Sequence, residues 1–205
     1  MYSILKETLK KVEHISISEE RKEILQPLID YVSNRVAENA STSLNFICTH
    51  NSRRSHLGQI WAKTMAFHFQ IKNVNCYSGG TETTALFPKV AETLLKQGFQ
   101  IQKLSLEANP VYAVKYDENS LPIICFSKTF DDVFNPSLNF AAIMTCSSAD
   151  EGCPFIAGAE VRLPIRYDDP KAFDGTELMD AKYAERSLEI ASEMYYVFLQ
   201  VGNGK

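Results

Sequence analysis

The sequence predicts an α/β fold: three layers on a mainly parallel twisted sheet of about four strands with helices on both faces, plus an edge hairpin insertion and an N-terminal helical extension. Three observations predict it. Short strand-like runs (Leu44–Ile47, Asn73–Ser78, Phe140–Thr145, Val161–Ile165) alternate with segments of helical periodicity, and such alternation means parallel strands joined by crossover helices. The first of these runs stops at a cysteine, and a helix pattern follows at once (Leu57, Ile60, Trp61, Met65). With 205 residues, 45% of them hydrophobic, the chain can build one substantial core without a second globular domain.

Residues 1–43 read as a helical extension and residues 44–205 as the α/β domain. Leu5, Leu9 and Val12 mark a first amphipathic helix. Ser18 is the expected N-cap of a second, with Ile24, Leu25, Leu28, Ile29 and Val32 as its buried stripe. Pro27 removes an interior N–H, so this helix is expected to kink or break. The extension is read as packing over the domain or making a dimer contact, and the polar run 38–43 as a linker.

After the strand Leu44–Ile47 comes a helix from about Ser55 to Phe69, then the strand Asn73–Ser78. Gly79-Gly80 is read as a sharp turn. Pro88–Gln97 is a helix, with proline near its start and Gly98 as its stop. Gln100–Leu106, Val111–Tyr116 and Leu121–Ser127 read as strands, the last two forming a hairpin at the sheet edge. Lys128–Pro136 is a loop. Thr176 is the expected cap of a long C-terminal helix with Ala184, Leu188, Ala191, Tyr195 and Phe198 as its apolar stripe.

The stretch Cys48-Thr-His-Asn-Ser-Arg-Arg-Ser55 carries the chemistry. Five residues separate Cys48 from Arg54, an interval that suits a loop whose N–H groups curl around a tetrahedral oxyanion at a helix N-terminus. Cys48 at its centre is then the nucleophile, and Arg54 clamps two oxygens bidentately. The adjacent Arg53–Arg54 pair is read as one anion site, and the Ser55 hydroxyl is placed to bond the sulfur. Taken alone, the two residues fit a buried structural cysteine beside a solvated basic pair better than a site. The strand before and the helix after favour the loop.

That loop resembles the one in the low-molecular-weight protein tyrosine phosphatases and the arsenate reductases that share their fold, Cys-x-Gly-Asn-x-Cys-Arg-Ser. Cys48, Asn51, Arg54 and Ser55 stand in the matching places. His50 replaces the glycine, and histidine enters positive φ more readily than most residues, so the left-handed position is expected at His50 with some strain. Arg53 replaces a second cysteine associated with redox protection in the phosphatase branch. The resemblance implies an oxyanion-binding loop of Thr49, His50, Asn51, Ser52, Arg53 and Ser55, of which Thr49 and Ser52 fit the reductase version. It implies that Asp169, directly before Pro170, is the general acid, although Asp-Asp-Pro is also a common turn. It implies further that Cys146 and Cys153 form the redox pair of a thioredoxin-coupled arsenate reductase, joined by a short mobile segment. The expected substrates are arsenate or phosphate oxyanion, or phosphotyrosine, with thioredoxin as external reductant and no bound cofactor. A catalytically silent phospho-ligand binding module is the reading from another class.

A net charge of −4 argues against nucleic-acid or anionic-membrane partners. The chain has neither a membrane-length apolar run nor a signal-peptide core at its start, and is read as cytoplasmic. Five cysteines are an odd number for a disulfide framework. The four histidines are not spaced to complete a metal site with Cys146 and Cys153, so no metal is expected. Cys76 and Cys125, inside strand patterns, are read as core thiols.

Overall fold

In the computed structural model, which describes residues 1–153 and 155–204, two helices, α1 (Ser3–Glu13) and α2 (Glu19–Ala37), precede the strand β1 (Thr42–Cys48). There follow α3 (Arg54–His68), β2 (Val74–Gly80), α4 (Pro88–Lys96) and three short strands, β3 (Gln100–Lys103), β4 (Tyr112–Lys115) and β5 (Ile123–Cys125). The chain ends with β6 (Phe140–Met144), α5 (Ser147–Gly152), β7 (Ala159–Pro164), a 3-10 turn at Pro170–Phe173 and α6 (Met179–Asn203). Strands β2-β1-β6-β7, in that order, make one parallel sheet. The chain leaves β1 toward β2 on one side and comes back to β6 on the other. Such a reversal opens a crevice beyond the carboxyl ends of the strands, and Cys48 ends β1 there.

Period-two alternation sorts the central strands into two layers. Leu44 and Phe46 of β1, with Ala141 and Ile143 of β6, face the larger core, to which α1, α2, α3, α4 and α6 all contribute. Ile47, Phe140, Ala142 and Met144 face a smaller one closed by Ala149 of α5, Ile156 and Phe130. Helices therefore cover both faces, unequally. Among the described residues no helix is long and apolar enough to cross a membrane.

Several local expectations change. Helix α2 runs unbroken through Pro27, because Leu25, Leu28, Ile29 and Val32 are buried on the domain and hold the helix on both sides of it. The strand begins at Thr42, inside the expected linker: the Thr42 N–H donates to Asn73 at 2.8 Å, which pulls the polar residues into the sheet. The hairpin does not extend the main sheet but forms a second, antiparallel one, β3-β4-β5. Gln59 of α3 stands between the two, its Nε2 donating to the carbonyls of Cys76 on β2 (3.1 Å) and Ile124 on β5 (3.3 Å). Finally, α6 begins at Met179, because Thr176 uses its hydroxyl to accept from the N–H of Leu178 in the preceding turn.

Gly79 and Gly80 are not a turn. They are the last two residues of β2, paired with Ile47 and Cys48, and small because backbone presses on them. A Cβ on Gly80 would lie 2.4 Å from the Glu82 carbonyl oxygen and 2.7 Å from both Asn51 N and Thr49 O. Gly80→Ala is thus expected to cost about 1–3 kcal/mol through overpacking against groups that cannot rotate away. Gly152→Ala, whose added Cβ meets nothing within 4 Å, should stay within about 0.5 kcal/mol of the parent. Urea unfolding of both proteins is the check; equal stabilities would mean that the loop after β1 is free to shift.

Candidate active site

Cys48 is buried at the end of β1, and the five residues after it turn back to enter α3. The carbonyls of this loop face outward and are occupied. Cys48 O accepts from the Thr81 N–H (3.1 Å), Thr49 O from the Glu82 N–H (2.8 Å) and Ser52 O from the Phe87 N–H (3.0 Å). His50 O takes the hydroxyls of Thr84 (3.1 Å) and Ser127 (2.9 Å). In a planar trans peptide the N–H points opposite its carbonyl. The N–H groups of Thr49, His50, Asn51 and Arg53 therefore turn to the inside of the loop, a concave nest of donors at the start of α3.

Asn51 holds the nest in shape. Its φ is 44°, so the left-handed position lies at Asn51 and not at His50, a correction to the sequence reading. Asparagine visits that region because its short side chain bonds locally. Here Asn51 Nδ2 donates to Ser55 Oγ (2.9 Å) and Asn51 Oδ1 accepts from the Lys128 N–H (2.9 Å). Ser55 Oγ lies 3.1 Å from Cys48 Sγ, as expected. His50 carries no positive φ; its ring sits at the rim, with Nε2 3.6 Å from Glu82.

The two adjacent arginines part company: Arg54 is the first residue of α3, whereas Arg53 is its N-cap with non-helical backbone angles, φ −133° and ψ −85°. Arg54 Nη2 donates to Asp169 Oδ2 (2.5 Å) and Nη1 to the Tyr167 carbonyl (2.9 Å). Its Nε is buried without a partner among the described residues. Arg53 turns away: Nε donates to Tyr183 Oη (2.6 Å), Nη2 to Asp174 Oδ2 (2.6 Å), and the guanidinium lies 4.1 Å from the centre of the Phe87 ring. The expected basic pair at one anion site is thus a single guanidinium, and Arg53 offers the nest only its N–H. Asp169 Oδ1 accepts from the Lys171 N–H (3.0 Å), which fixes the carboxylate on the 3-10 turn that Pro170 begins. Asp168 points into solvent, 99% exposed, with Arg186 Nη2 3.5 Å from its Oδ2.

Cys146 follows β6 and caps α5, its sulfur accepting from the Ala149 N–H at 3.4 Å. That sulfur also lies 3.4 Å from Thr49 Oγ1, on the wall of the loop. Cys153 caps the other end of α5, half-buried, and all five cysteines are free thiols. The joining segment, read from sequence as mobile, is a six-residue helix held down through buried Asp150, which pairs with Arg162 and with Arg166 (Nε to Oδ2, 2.6 Å). Arg162 Nε also donates to the Cys153 carbonyl (3.0 Å). Helical rise puts the two Cα atoms roughly 10 Å apart, beyond the ~7 Å a disulfide spans. Cys76 and Cys125 are core thiols, their pKa values pushed up to about 12 by burial. Among the described residues no group of three or more His, Cys, Asp or Glu is placed to hold a metal ion.

Sequence reasoning missed two groups beside the nest. Lys128, read as part of a loop, is 2% exposed; its Nζ lies 4.4 Å from the Phe126 ring centre and 5.3 Å from that of Phe134. Burial lowers its pKa to about 8. His56, fully buried in α3 with Nδ1 3.1 Å from Ser78 Oγ, is lowered to about 3 by burial and then by Lys128. A lysine and phenylalanines interleaved in Phe126-Ser-Lys-Thr-Phe130 were the available signal for the first.

The fold around this site is that of the low-molecular-weight protein tyrosine phosphatases. A low-molecular-weight phosphotyrosine phosphatase from Vibrio cholerae O395 superposes with a TM-score of 0.52 at 15% identity, over 78% of this chain and 95% of that one. A mutant of YwlE from Bacillus subtilis does so with a TM-score of 0.52 at 16% identity, over 80% and 100%. In sequence the chain is similar to arsenate reductases. It is 24% identical over 163 residues to that of Bacillus licheniformis, covering 78% of this chain and 96% of the relative. It is 27% identical over 128 residues to that of Staphylococcus aureus strain Newman, covering 62% and 78%. No protein-family model matches the chain.

The arginine geometry separates two variants. Arg53→Ala deletes two charge-assisted hydrogen bonds and should cost about 1.5–3 kcal/mol of stability. Arg54→Ala also deletes two hydrogen bonds, to Asp169 and the Tyr167 carbonyl, and should cost a comparable amount of stability, but it alone should abolish inorganic phosphate binding. Urea titration together with calorimetry reads both; phosphate binding lost in Arg53→Ala and kept in Arg54→Ala would reverse the assignment.

Buried His56 makes stability depend on pH. Unfolded, it takes up a proton near its ordinary 6.5, and folded only near 3. Its contribution is therefore complete above pH 6.5 and falls away as the pH drops toward 3, at up to about 1.4 kcal/mol per pH unit for one proton. Urea unfolding between pH 6.5 and 5 should show a steeper loss in the parent than in His56→Gln; parallel slopes would mean that His56 is protonated in the fold.

Proposed function

We propose that this chain is an arsenate reductase in which Cys48 attacks the oxyanion and Cys146 and Cys153 form a redox relay regenerated by thioredoxin. The observation that carries the reading is the second thiol at the loop: Cys146 Sγ lies 3.4 Å from the hydroxyl of Thr49, the residue next to the nucleophile. Similarity to arsenate reductases over 78% of the chain supports it. Hydrolysis of a phosphoester makes no use of that thiol.

In the proposed sequence the inward N–H groups and Arg54 hold the arsenate oxygens. The Cys48 thiolate attacks arsenic and an As–O bond breaks, the departing oxygen taking a proton from Asp169. The Cys146 thiolate then attacks the Cys48 sulfur. A Cys48–Cys146 disulfide forms, and the S–As bond breaks with its electron pair left on arsenic, which leaves as arsenite. The Cys153 thiolate attacks the Cys146 sulfur and expels the Cys48 thiolate. What remains is a Cys146–Cys153 disulfide, which the thioredoxin dithiol reduces. The helical spacing of the pair means that α5 has to unwind during this last exchange, and the ion pairs of Asp150 oppose it. A thiol relay of this kind belongs in a reducing compartment, in keeping with a cytoplasmic protein. No bound cofactor, nucleic acid or membrane enters the scheme.

The second reading is a low-molecular-weight protein tyrosine phosphatase that hydrolyses phosphomonoesters through a phosphocysteine on Cys48. The Arg54–Asp169 contact favours it as much as the first reading, since clamp and acid serve both.

Three sets of variants divide the readings. Cys48→Ser should abolish both arsenate reduction and p-nitrophenyl phosphate cleavage with the fold intact. Asp169→Asn should slow phosphoester cleavage by ~100-fold or more, the usual loss for a general acid, and Asp168→Asn by far less. Cys146→Ser and Cys153→Ser should each stop multiple-turnover arsenate reduction coupled to thioredoxin, thioredoxin reductase and NADPH while leaving phosphoester cleavage largely unchanged. If both of these last variants reduce arsenate at the parent rate, the relay is wrong and the phosphatase reading replaces it.

A further inference from the structure

The second N-terminal helix, α2, reaches the site through polar contacts. Arg21, in the first turn of α2, donates from Nε to Glu193 Oε1 at 2.6 Å and from Nη2 to Glu193 Oε2 at 2.8 Å, joining residues 172 apart in sequence. The Tyr167 hydroxyl donates to the same Oε2 at 2.6 Å, and the Arg21 guanidinium lies 4.9 Å from the centre of the Tyr167 ring. Glu193 is 3% exposed and Tyr167 5%. Tyr167 is also tied to the strand ends: its N–H donates to the Thr145 carbonyl (3.1 Å), and the Thr145 N–H donates to the Ile47 carbonyl (2.7 Å) beside Cys48. The remaining group is its own carbonyl, which accepts from Arg54 Nη1 at 2.9 Å.

Each contact has a physical reason to be stiff. A guanidinium and a carboxylate in bidentate contact fix each other's plane, and a buried Glu193 without its cation would be strongly disfavoured. Burial and the Glu193 carboxylate raise the Tyr167 pKa well above its ordinary range, so the hydroxyl stays a donor. Ring, hydroxyl and N–H are thus each held by a different element, and the direction of the Tyr167 carbonyl follows from them. That carbonyl and Asp169, two residues on, are the two groups that orient the Arg54 guanidinium.

We propose that Arg21 is a positioning residue for Arg54, acting through Glu193 and Tyr167, so that α2 is a working part of the oxyanion site. The proposal rests on the reading of Arg54 as the oxyanion clamp, and the experiment tests the two separately. Orthophosphate affinity is measured by calorimetry on the full-length reduced protein, its Arg21→Gln, Arg21→Lys and Tyr167→Phe variants, the Arg21→Gln/Tyr167→Phe double variant, and Arg54→Ala.

Arg21→Gln and Tyr167→Phe should each weaken binding by about 3- to 10-fold. The double variant should be no weaker than the worse single one, since both cut the same chain of contacts, and Arg21→Lys should recover part of the loss. If Arg54→Ala binds phosphate like the parent, it is the reading of the clamp that fails. If Arg54→Ala abolishes binding while Arg21→Gln and Tyr167→Phe bind like the parent, or their losses simply multiply, the positioning role is overturned. Should Arg21→Gln fail to fold, Tyr167→Phe decides alone, because it keeps the ring and the Arg21–Glu193 pair and removes a single hydroxyl; parent-like affinity in it then overturns the proposal.

Discussion

Every carbonyl that the loop after β1 turns outward commits the N–H of the same peptide to the inside. The site depends on that constraint. The outward acceptors are satisfied by Thr81, Glu82, Thr84, Phe87 and Ser127, all outside the loop, so the nest is built as much by residues 80–87 and 126–130 as by the loop itself. Those segments come close enough because Gly80 has no Cβ. A buried polar group without a partner is costly, and here the cost is avoided on the outer face so that donors remain on the inner one.

Charge is sorted by the same economy of partners. Arg53 and Arg54 are adjacent, yet one is consumed by Tyr183 and Asp174 while the other meets Asp169 and the Tyr167 carbonyl. This leaves one guanidinium at the loop, a number that suits bidentate contact with two oxygens. At the opposite wall, Asp150 holds α5 shut over the smaller core and keeps Cys146 and Cys153 at helical distance. Opening this short helix exposes little apolar surface, so a local transition of the kind that carries function can stay decoupled from the main core.

What was legible in the sequence is what depends on neighbours in the chain. The alternation Leu44, Phe46 against Ile47, the Cys48 to Arg54 interval, the Ser55 hydroxyl and the carboxylate directly before Pro170 are all local, and the structure has them where they were read. What was not legible is set by contacts across long stretches of chain. No periodicity says that Arg53 reaches residue 183, that Gln59 bridges the backbones of β2 and β5, or that Phe130 backbone presses on Gly79. The left-handed residue was misplaced by one position, since histidine and asparagine both tolerate positive φ and only the Lys128 N–H and Ser55 Oγ, by binding the Asn51 side chain, choose between them. The helix between the two cysteines reads as polar and loose until Arg162 and Arg166 are brought over from β7 and the residues after it.

If the inward N–H groups of this loop receive an oxyanion, the anion must perturb those amides before any others. The most direct measurement is a phosphate titration of uniformly 15N-labelled Cys48→Ser protein followed by amide NMR. Saturable downfield proton shifts at Thr49, His50, Asn51 and Arg53, with the amides of Thr81, Glu82 and Phe87 nearly still, are the predicted result. Phosphate binding that leaves the four loop amides unmoved, or that shifts residues elsewhere in their place, would contradict it.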